Sequence, residues 1–333
     1  MEIAVLGSGS WATAIVKILT QNHSKVHWWV REKEIVEGVE RFGHNPLYLR
    51  ACELDSERIH ISTDLRDVIL KASHIVMVIP AAFVVRSLQT LKAEDLAGKY
   101  LISATKGIIP ETNQIVADYM CDVFALGAES QAVVSGPSHA EEIAQERITY
   151  LTVGSSNVQL AETVAAAFEC RFVRTRTSHD IRGIEFGAVM KNIYALAAGI
   201  ARGAGYGDNY VAVLMSNAAR ETKQFLQAVA PQERETANFV YLGDLLVTAY
   251  SQHSRNRTFG QMIGQGYSVR SAQLEMAMVA EGFYAADCIH KANLAIKASI
   301  PIAEAVYRLL YEGKSASTEF CLLYTSPSPR DRG

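Results

Sequence analysis

The sequence predicts an α/β N-terminal domain followed by an all-α C-terminal domain, and three features point there. Short β-branched and apolar runs alternate with helical ones as far as Thr177. A glycine-rich turn, Gly7-Ser8-Gly9-Ser10-Trp11-Ala12, sits between the first strand and the first helix. From Asp180 onward strand signals stop, and the segments become long, apolar and helical. The expected layout is a Rossmann-type dinucleotide-binding domain at 1–177, a helical domain with substrate and catalytic groups at 178–320, and a tail at 321–333. No Gly/Ser linker marks the boundary, so the two domains are expected to pack closely around a cleft.

The first strand, Glu2 to Leu6, runs straight into the glycine turn and then into a helix over Thr13 to Leu19. Gly7 permits the tight turn, Gly9 lets a pyrophosphate approach the backbone, and Ala12 still allows close helix packing. The helix N-terminal amides, beginning at Ser10 and Trp11, would meet the anion. A second strand, Lys25 to Val30, is followed by Arg31, where an NAD-binding chain carries an acidic residue about 20 residues past the glycines. A guanidinium pairs with a 2'-phosphate and stacks on adenine, so NADP(H) is mildly favoured, while the adjacent Glu32 keeps NAD(H) open. The alternation continues with a strand at Ile59 to Ser62, a helix Asp64 to Ala72 capped by Thr63, a strand His74 to Ile79 and a helix Phe83 to Leu91.

The strand Tyr100 to Ala104 then delivers Thr105-Lys106-Gly107 to the carboxyl edge, where open α/β sheets bind ligands. Taken alone, Lys106 reads as a lysine on a solvent loop. Ala132 to Ser135 leads in the same way into Gly136-Pro137-Ser138-His139-Ala140 and a helix from Glu141. Strands Tyr150 to Gly154 and Phe172 to Thr175, with the helix Val158 to Phe168 between them, close the sheet.

In the helical half, Ile181 to Arg202 contains a single charge, Lys191, between Glu185 and Arg202. A helix apolar on nearly all sides is buried in a protein core. Desolvation disfavours an ammonium, which is how a lysine becomes a proton donor or acceptor near neutrality. The competing account is a lysine that snorkels its amine to water. A membrane span is set aside because the apolar run falls short of about 20 residues and carries Lys191 and Asn192 at its middle. Further helices are expected over Val211 to Val229, Val240 to Tyr250 and Ala272 to Ala298. Two polar clusters interrupt them, Gly243-Asp244 with Thr248, and Ser254-Arg255-Asn256-Arg257. Taken alone, the first is a cap or a solvated carboxylate and the second a surface turn.

At 333 residues, 49% hydrophobic and 20% charged, the chain is long enough for two ordinary globular domains. A net charge of -3 offers no broad basic surface for nucleic acid, and a small ligand is the natural partner. Five scattered cysteines without a CxxC pair, and nine histidines without close metal spacing, argue against a disulfide scaffold and against a metal site. No cleavable leader precedes the first strand, so a cytoplasmic location is expected.

With these residues in place the chain resembles the bacterial NAD(P)-dependent glycerol-3-phosphate dehydrogenases. The matches are GSGSWA at the start, Asn45-Pro46 with Tyr48-Leu49, Thr105-Lys106-Gly107, Gly136-Pro137-Ser138, Lys191-Asn192, Gly243-Asp244, Ser254-Arg255-Asn256 and Val279-Ala280-Glu281-Gly282, in the family's order. The resemblance implies a two-domain plan like that of 6-phosphogluconate dehydrogenase. It also implies a reversible hydride transfer between NADPH or NADH and carbon 2 of a phosphorylated triose, interconverting dihydroxyacetone phosphate and sn-glycerol 3-phosphate for phospholipid synthesis. By that likeness Lys191 is the proton donor in reduction, Asp244 orients it, and Lys106 holds substrate oxygens. Asn192, Thr248, Gly136 and Ser138 line the pocket, while Ser254, Arg255 and Asn256 take the phosphate. Gly7, Gly9, Ser10, Trp11, Ala12, Arg31, Lys106, Ala140, Arg255, Val279 and Glu281 match cofactor positions.

Two departures stand out: Ala12 replaces the family's commoner glycine, and the composition changes abruptly from Cys321 to Gly333. After Lys314 the last helix is expected to stop short, and the tail to be foreign to the fold, through a frameshift or read-through. A homodimer is compatible with the apolar helical half. The alternatives are a related hydroxyacid or ketoacid reductase and a non-catalytic nucleotide-sensing protein.

Overall fold

In the computed structural model the described residues are 1–23, 25–276 and 280–325. The chain divides into two compact units, Met1–Glu185 and Phe186–Gly333. The division falls inside the long helix Ile181–Gly203, a few residues beyond the expected 177/178 boundary. The opening turn of that helix stays with the first unit because it packs there. Ile184 lies against Gly154, and the Glu185 carboxylate accepts the Ala117 N–H at 3.1 Å.

The first unit is built on one eight-stranded sheet. Its strands are β1 (Ile3–Leu6), β2 (Val26–Trp29), β3 (Ile59–Ser62), β4 (His74–Met77), β5 (Tyr100–Ser103), β6 (Gln131–Ser135), β7 (Thr149–Gly154) and β8 (Val173–Ser178). They lie in the order β3-β2-β1-β4-β5-β6-β7-β8. The first six pair in parallel, the doubly wound order whose switch point lies between β1 and β4. Alternate residues of each strand face two separate cores, Ile3 and Val5 one, Ala4 and Leu6 the other. Both faces being covered explains why the strands read as apolar runs rather than alternating ones.

β7 runs antiparallel to β6. The intervening helix, Ala140–Ala144, has five residues and spans about 7.5 Å, too short to carry the chain back along a strand of about 17 Å. Two further local differences are helices over Lys33–Phe42 and Val116–Phe124, neither of which the apolar periodicity announced. The helix after β3 is Leu65–Leu70, and its cap is Asp64 rather than Thr63. The Asp64 carboxylate accepts the N–H groups of Arg66 and Asp67, which a carboxylate does better than a hydroxyl at a positive helix end.

The second unit is helical. Helix Asp208–Val229 packs on Asp244–Tyr250 and on Pro301–Tyr311, and Glu281–Ile296 packs on Pro301–Tyr311 and Arg255–Gly264. The segment expected as one helix over Ala272 to Ala298 forms two, Val269–Glu275 and Glu281–Ile296, and Val279 lies outside the described residues. Helix Ile181–Gly203 is 23 residues long, so length does not exclude a membrane span as expected; its apolar window is wholly buried within the protein, as in a core helix. Beyond Lys314 the chain also departs from expectation. Ser315 accepts the Thr318 N–H and starts a helix, Ala316–Thr325, that includes the first five residues of the supposed tail. Phe320 is fully buried beside Tyr206 and Tyr210, and Glu319 pairs with Arg308 at 2.6 Å. Residues 326–333 lie outside the described residues.

Candidate active site

In the first unit the polar residues gather at the carboxyl edge of β1, β5 and β6. Gly7 adopts φ +141°, and a Cβ there would sit 2.8 Å from the Val78 carbonyl oxygen, so the turn requires glycine. Its carbonyl accepts the Trp28 indole N–H at 2.7 Å. Gly9 starts the helix Ser10–Asn22, and nothing lies within 4 Å of a Cβ built on it. That open space over a helix N-terminus fits a dinucleotide pyrophosphate. Ala12 is fully buried and lies 3.5 Å from the position of a Gly7 Cβ, so a methyl is accommodated in the third fingerprint position.

The loop is braced by a residue whose role the motif alone did not reveal. Asn45 is fully buried; its Nδ2 donates to Ser8 O at 3.0 Å and Thr13 Oγ1 at 2.9 Å, and its Oδ1 accepts the N–H groups of Leu47 and Tyr48. The Asn45-Pro46 turn was the available signal, since an asparagine that bonds the backbone two and three residues on is an Asx turn.

Three predicted residues meet around Lys106. Its Nζ donates to Gly136 O at 3.2 Å and Ser138 Oγ at 3.0 Å, and stands 5.0 Å from the centre of the Trp11 ring. Trp11 is fixed through its indole N–H to Ala104 O at 3.0 Å. Gly136, at φ +140°, would carry a Cβ 2.5 Å from Tyr150 O, and Ala140 is buried at the start of the short helix that follows. Arg31 stands apart from this cluster: its guanidinium donates to Glu32 Oε1 at 2.5 and 3.1 Å, and its backbone N–H bonds Ser8 Oγ.

In the second unit Lys191 and Asp244 form an ion pair of 2.5 Å between side chains only 7% and 2% exposed. Lys191 Nζ also donates to Thr248 Oγ1 at 3.2 Å, and Thr248 in turn donates to the Asp244 carbonyl at 2.6 Å. The lysine is therefore neither snorkelling nor alone, because a carboxylate compensates its charge in the core. Asn192 Oδ1 accepts from Asn256 Nδ2 at 2.9 Å, and Asn256 Oδ1 accepts the Gly282 N–H at 2.9 Å. This chain of amides ties helix Ile181–Gly203 to helix Arg255–Gly264 and to the start of Glu281–Ile296, where Glu281 is the first residue.

SRNR is thus a helix start rather than a surface turn. Ser254 caps it by accepting the Arg257 N–H at 3.2 Å, which sets Arg255 and Asn256 in the first turn. The two helices touch backbone to backbone. A Cβ at Gly199 would come 2.1 Å from Arg257 O, and one at Gly260 2.2 Å from Leu196 O. The paired Gly-x-x-x-Gly spacings, Gly199 with Gly203 and Gly260 with Gly264, were visible in the sequence and signal such an approach.

A glycine cradle on a doubly wound sheet, followed by a helical unit with a buried lysine and carboxylate, fits a nicotinamide-dinucleotide oxidoreductase acting on a CH–OH group, and the relatives show that class. Residues 2–161 match the profile of the NAD-dependent glycerol-3-phosphate dehydrogenase N-terminus, and residues 180–320 that of its C-terminus. The chain belongs to the NAD-dependent glycerol-3-phosphate dehydrogenase family. It is 35% identical over 323 residues to a glycerol-3-phosphate dehydrogenase [NAD(P)+] of Syntrophomonas wolfei, covering 96% of this chain and 93% of that one. Against the corresponding protein of Bacillus pumilus the identity is 33% over 317 residues, covering 94% and 91%. The crystal structure of glycerol-3-phosphate dehydrogenase from Coxiella burnetii superposes with a TM-score of 0.91 at 26% identity, covering 97% of this chain and 98% of that one. A ketopantoate reductase from Ralstonia eutropha, at TM-score 0.63 and 15% identity, shares the fold alone.

Proposed function

We propose that this protein reduces dihydroxyacetone phosphate to sn-glycerol 3-phosphate, reversibly, with Lys191 as the proton donor. The observation that carries the assignment is the Lys191–Asp244–Thr248 cluster, which spends two of the ammonium's protons on fixed acceptors. Among the described residues the third N–H has no partner, so it is available to a ligand oxygen. A reduced nicotinamide, when bound, would supply the hydride for carbon 2. As charge grows on the carbonyl oxygen, the Lys191 N–H stabilises it and then gives up its proton, so the ketone becomes a secondary alcohol and the lysine a neutral amine. Asp244 keeps the amine aimed through their 2.5 Å contact. In the oxidative direction the same amine accepts the hydroxyl proton.

Arg255, in the first turn of its helix, adds a forked cation to amides suited to a phosphate. Asn256 has one further N–H for that phosphate beyond its bond to Asn192. Gly136, Ser138, Asn192, Thr248 and Ser254 complete the substrate set, with Lys106 on substrate oxygens. Gly7, Gly9, Ser10, Trp11, Ala12, Arg31, Ala140, Val279 and Glu281, again with Lys106 and Arg255, serve the cofactor. The physiological setting in this proposal is a cytoplasmic homodimer feeding phospholipid synthesis. Lys191→Ala tests the chemical core: turnover is expected to fall by at least about 100-fold, with cofactor affinity retained. Turnover close to that of the parent would remove Lys191 from the mechanism.

A further inference from the structure

Helix Asp244–Tyr250 carries Asp244 and Thr248, the partners of Lys191, and helix Arg255–Gly264 carries Arg255 and Asn256 in its first turn. The turn from Ser251 to Ser254 joins the two helices and so sets the spacing between the residues that hold Lys191 and the proposed phosphate ligands. Both ends of that turn are held by one residue, Arg257, which the roles proposed above leave unused. Its backbone N–H donates to Ser254 Oγ at 3.2 Å, and its Nη1 reaches back to the Ser251 carbonyl at 3.1 Å. Inside the turn the His253 N–H donates to Ser251 Oγ at 3.1 Å, and the Ser254 N–H lies 3.4 Å from Ser251 O. The guanidinium therefore makes the shorter of the two bonds to that carbonyl.

The charges run against the helix dipole. A helix N-terminus favours anions, yet the first turn of Arg255–Gly264 holds Arg255 and Arg257 and no acidic residue. Arg257 folds back onto the end of the preceding helix, where a cation is favoured. Among the described residues no carboxylate pairs with it, and its Nε is buried without a hydrogen-bond partner. Burial, and then the neighbouring Arg202, hold its guanidinium below the usual arginine range, while Arg202 has a carboxylate of its own in Asp208 at 2.8 Å. A half-buried cation left uncompensated acts strongly on an anion received at the same helix end.

We propose that Arg257 is the positioning residue of the phosphate site. It fixes the turn that sets Arg255 and Asn256 in place, and its charge favours a dianion there, so preference for a phosphorylated substrate depends on a residue that need not touch it. The inference rests on the proposed phosphate role of Arg255 and Asn256.

Calorimetric titration of the full chain with sn-glycerol 3-phosphate and with glycerol tests it, in saturating NADPH so that no hydride can be transferred. The parent is expected to bind sn-glycerol 3-phosphate at least about tenfold more tightly than glycerol. R257M keeps the alkyl stem but neither the charge nor the donors. It is expected to lose at least about tenfold in affinity for sn-glycerol 3-phosphate, the scale of one hydrogen bond to a charged group. R257K, with the charge kept and the fork lost, should lose about threefold. Initial rates give the readout that a merely structural role would not produce. In R257M the kcat/KM for dihydroxyacetone phosphate should fall at least about tenfold, and that for unphosphorylated dihydroxyacetone should not. Parental affinity in R257M, losses shared equally by the two ketones, or a parent that binds sn-glycerol 3-phosphate no better than glycerol would each overturn the inference. Should R257M fail to fold by far-UV circular dichroism, the R257K titration decides, with parental affinity the overturning result. A parent that reduces dihydroxyacetone phosphate, beside an R257M that keeps its preference for the phosphorylated ketone, would sink this inference alone. The expected pattern of affinities without turnover would sink the functional proposal alone.

Discussion

The buried pair of Lys191 and Asp244 makes a prediction whose sign separates an ion pair from ordinary packing. The partners meet at 2.5 Å with side chains 7% and 2% exposed, so water screens them little. At an effective dielectric of about 20, unit charges even about 4 Å apart attract by about 4 kcal/mol. Removing one partner of such a pair costs about 3–5 kcal/mol, because the other charge is left buried and uncompensated. D244N is therefore expected to destabilise the second unit by about 3–5 kcal/mol. K191M/D244N, with both charges gone, should lie within about 2 kcal/mol of the parent and be more stable than D244N alone. Urea unfolding followed by far-UV circular dichroism measures this. Trp11, Trp28 and Trp29 all belong to the first unit, so their fluorescence serves as an internal control that should not move. A double variant less stable than D244N, with the two single costs simply adding, would refute the ion-pair account.

Two further outcomes follow from the helical unit. Glu221 is buried; its oxygens accept the Ile302 and Ala303 N–H groups, and Tyr194 donates to it, yet burial pushes its carboxyl up from 4.5 to about 7. The native state then holds an extra proton between those values, so this group's stabilisation is full at the acidic end and is lost as pH rises through 7, by up to about 3 kcal/mol. E221Q should flatten that part of the stability profile measured by urea midpoints, and an unchanged slope would contradict the assignment. At the chain's end, F320A should cost about 3–5 kcal/mol by emptying the space beside Tyr206 and Tyr210, whereas deleting residues 326–333, which follow the helix Ala316–Thr325, should leave the melting temperature and activity nearly unchanged. A deletion as damaging as F320A would show that the tail belongs to the fold.

What could be read from sequence was what depends on near neighbours. The glycine turn, the strands around it and the apolar helix about Lys191 each announce themselves within about 20 residues. The partner of Lys191 does not, since Asp244 lies 53 positions away and in its own helical run looks like a cap; only the family resemblance singled it out. Helix Arg255–Gly264 was obscured for a related reason. Its mean character is polar, and what holds it is a Ser254 cap together with glycine contacts to another helix. The reversed β7 came from the shortness of the Ala140–Ala144 helix, a length that periodicity does not report.

The most direct test of the proposed activity is the initial rate of NADPH oxidation with dihydroxyacetone phosphate, compared with unphosphorylated dihydroxyacetone and repeated with NADH. The account predicts rapid oxidation confined to the phosphorylated ketone, faster with NADPH than with NADH. No turnover of dihydroxyacetone phosphate with either cofactor, in protein shown to be folded and to bind NADPH, would contradict it.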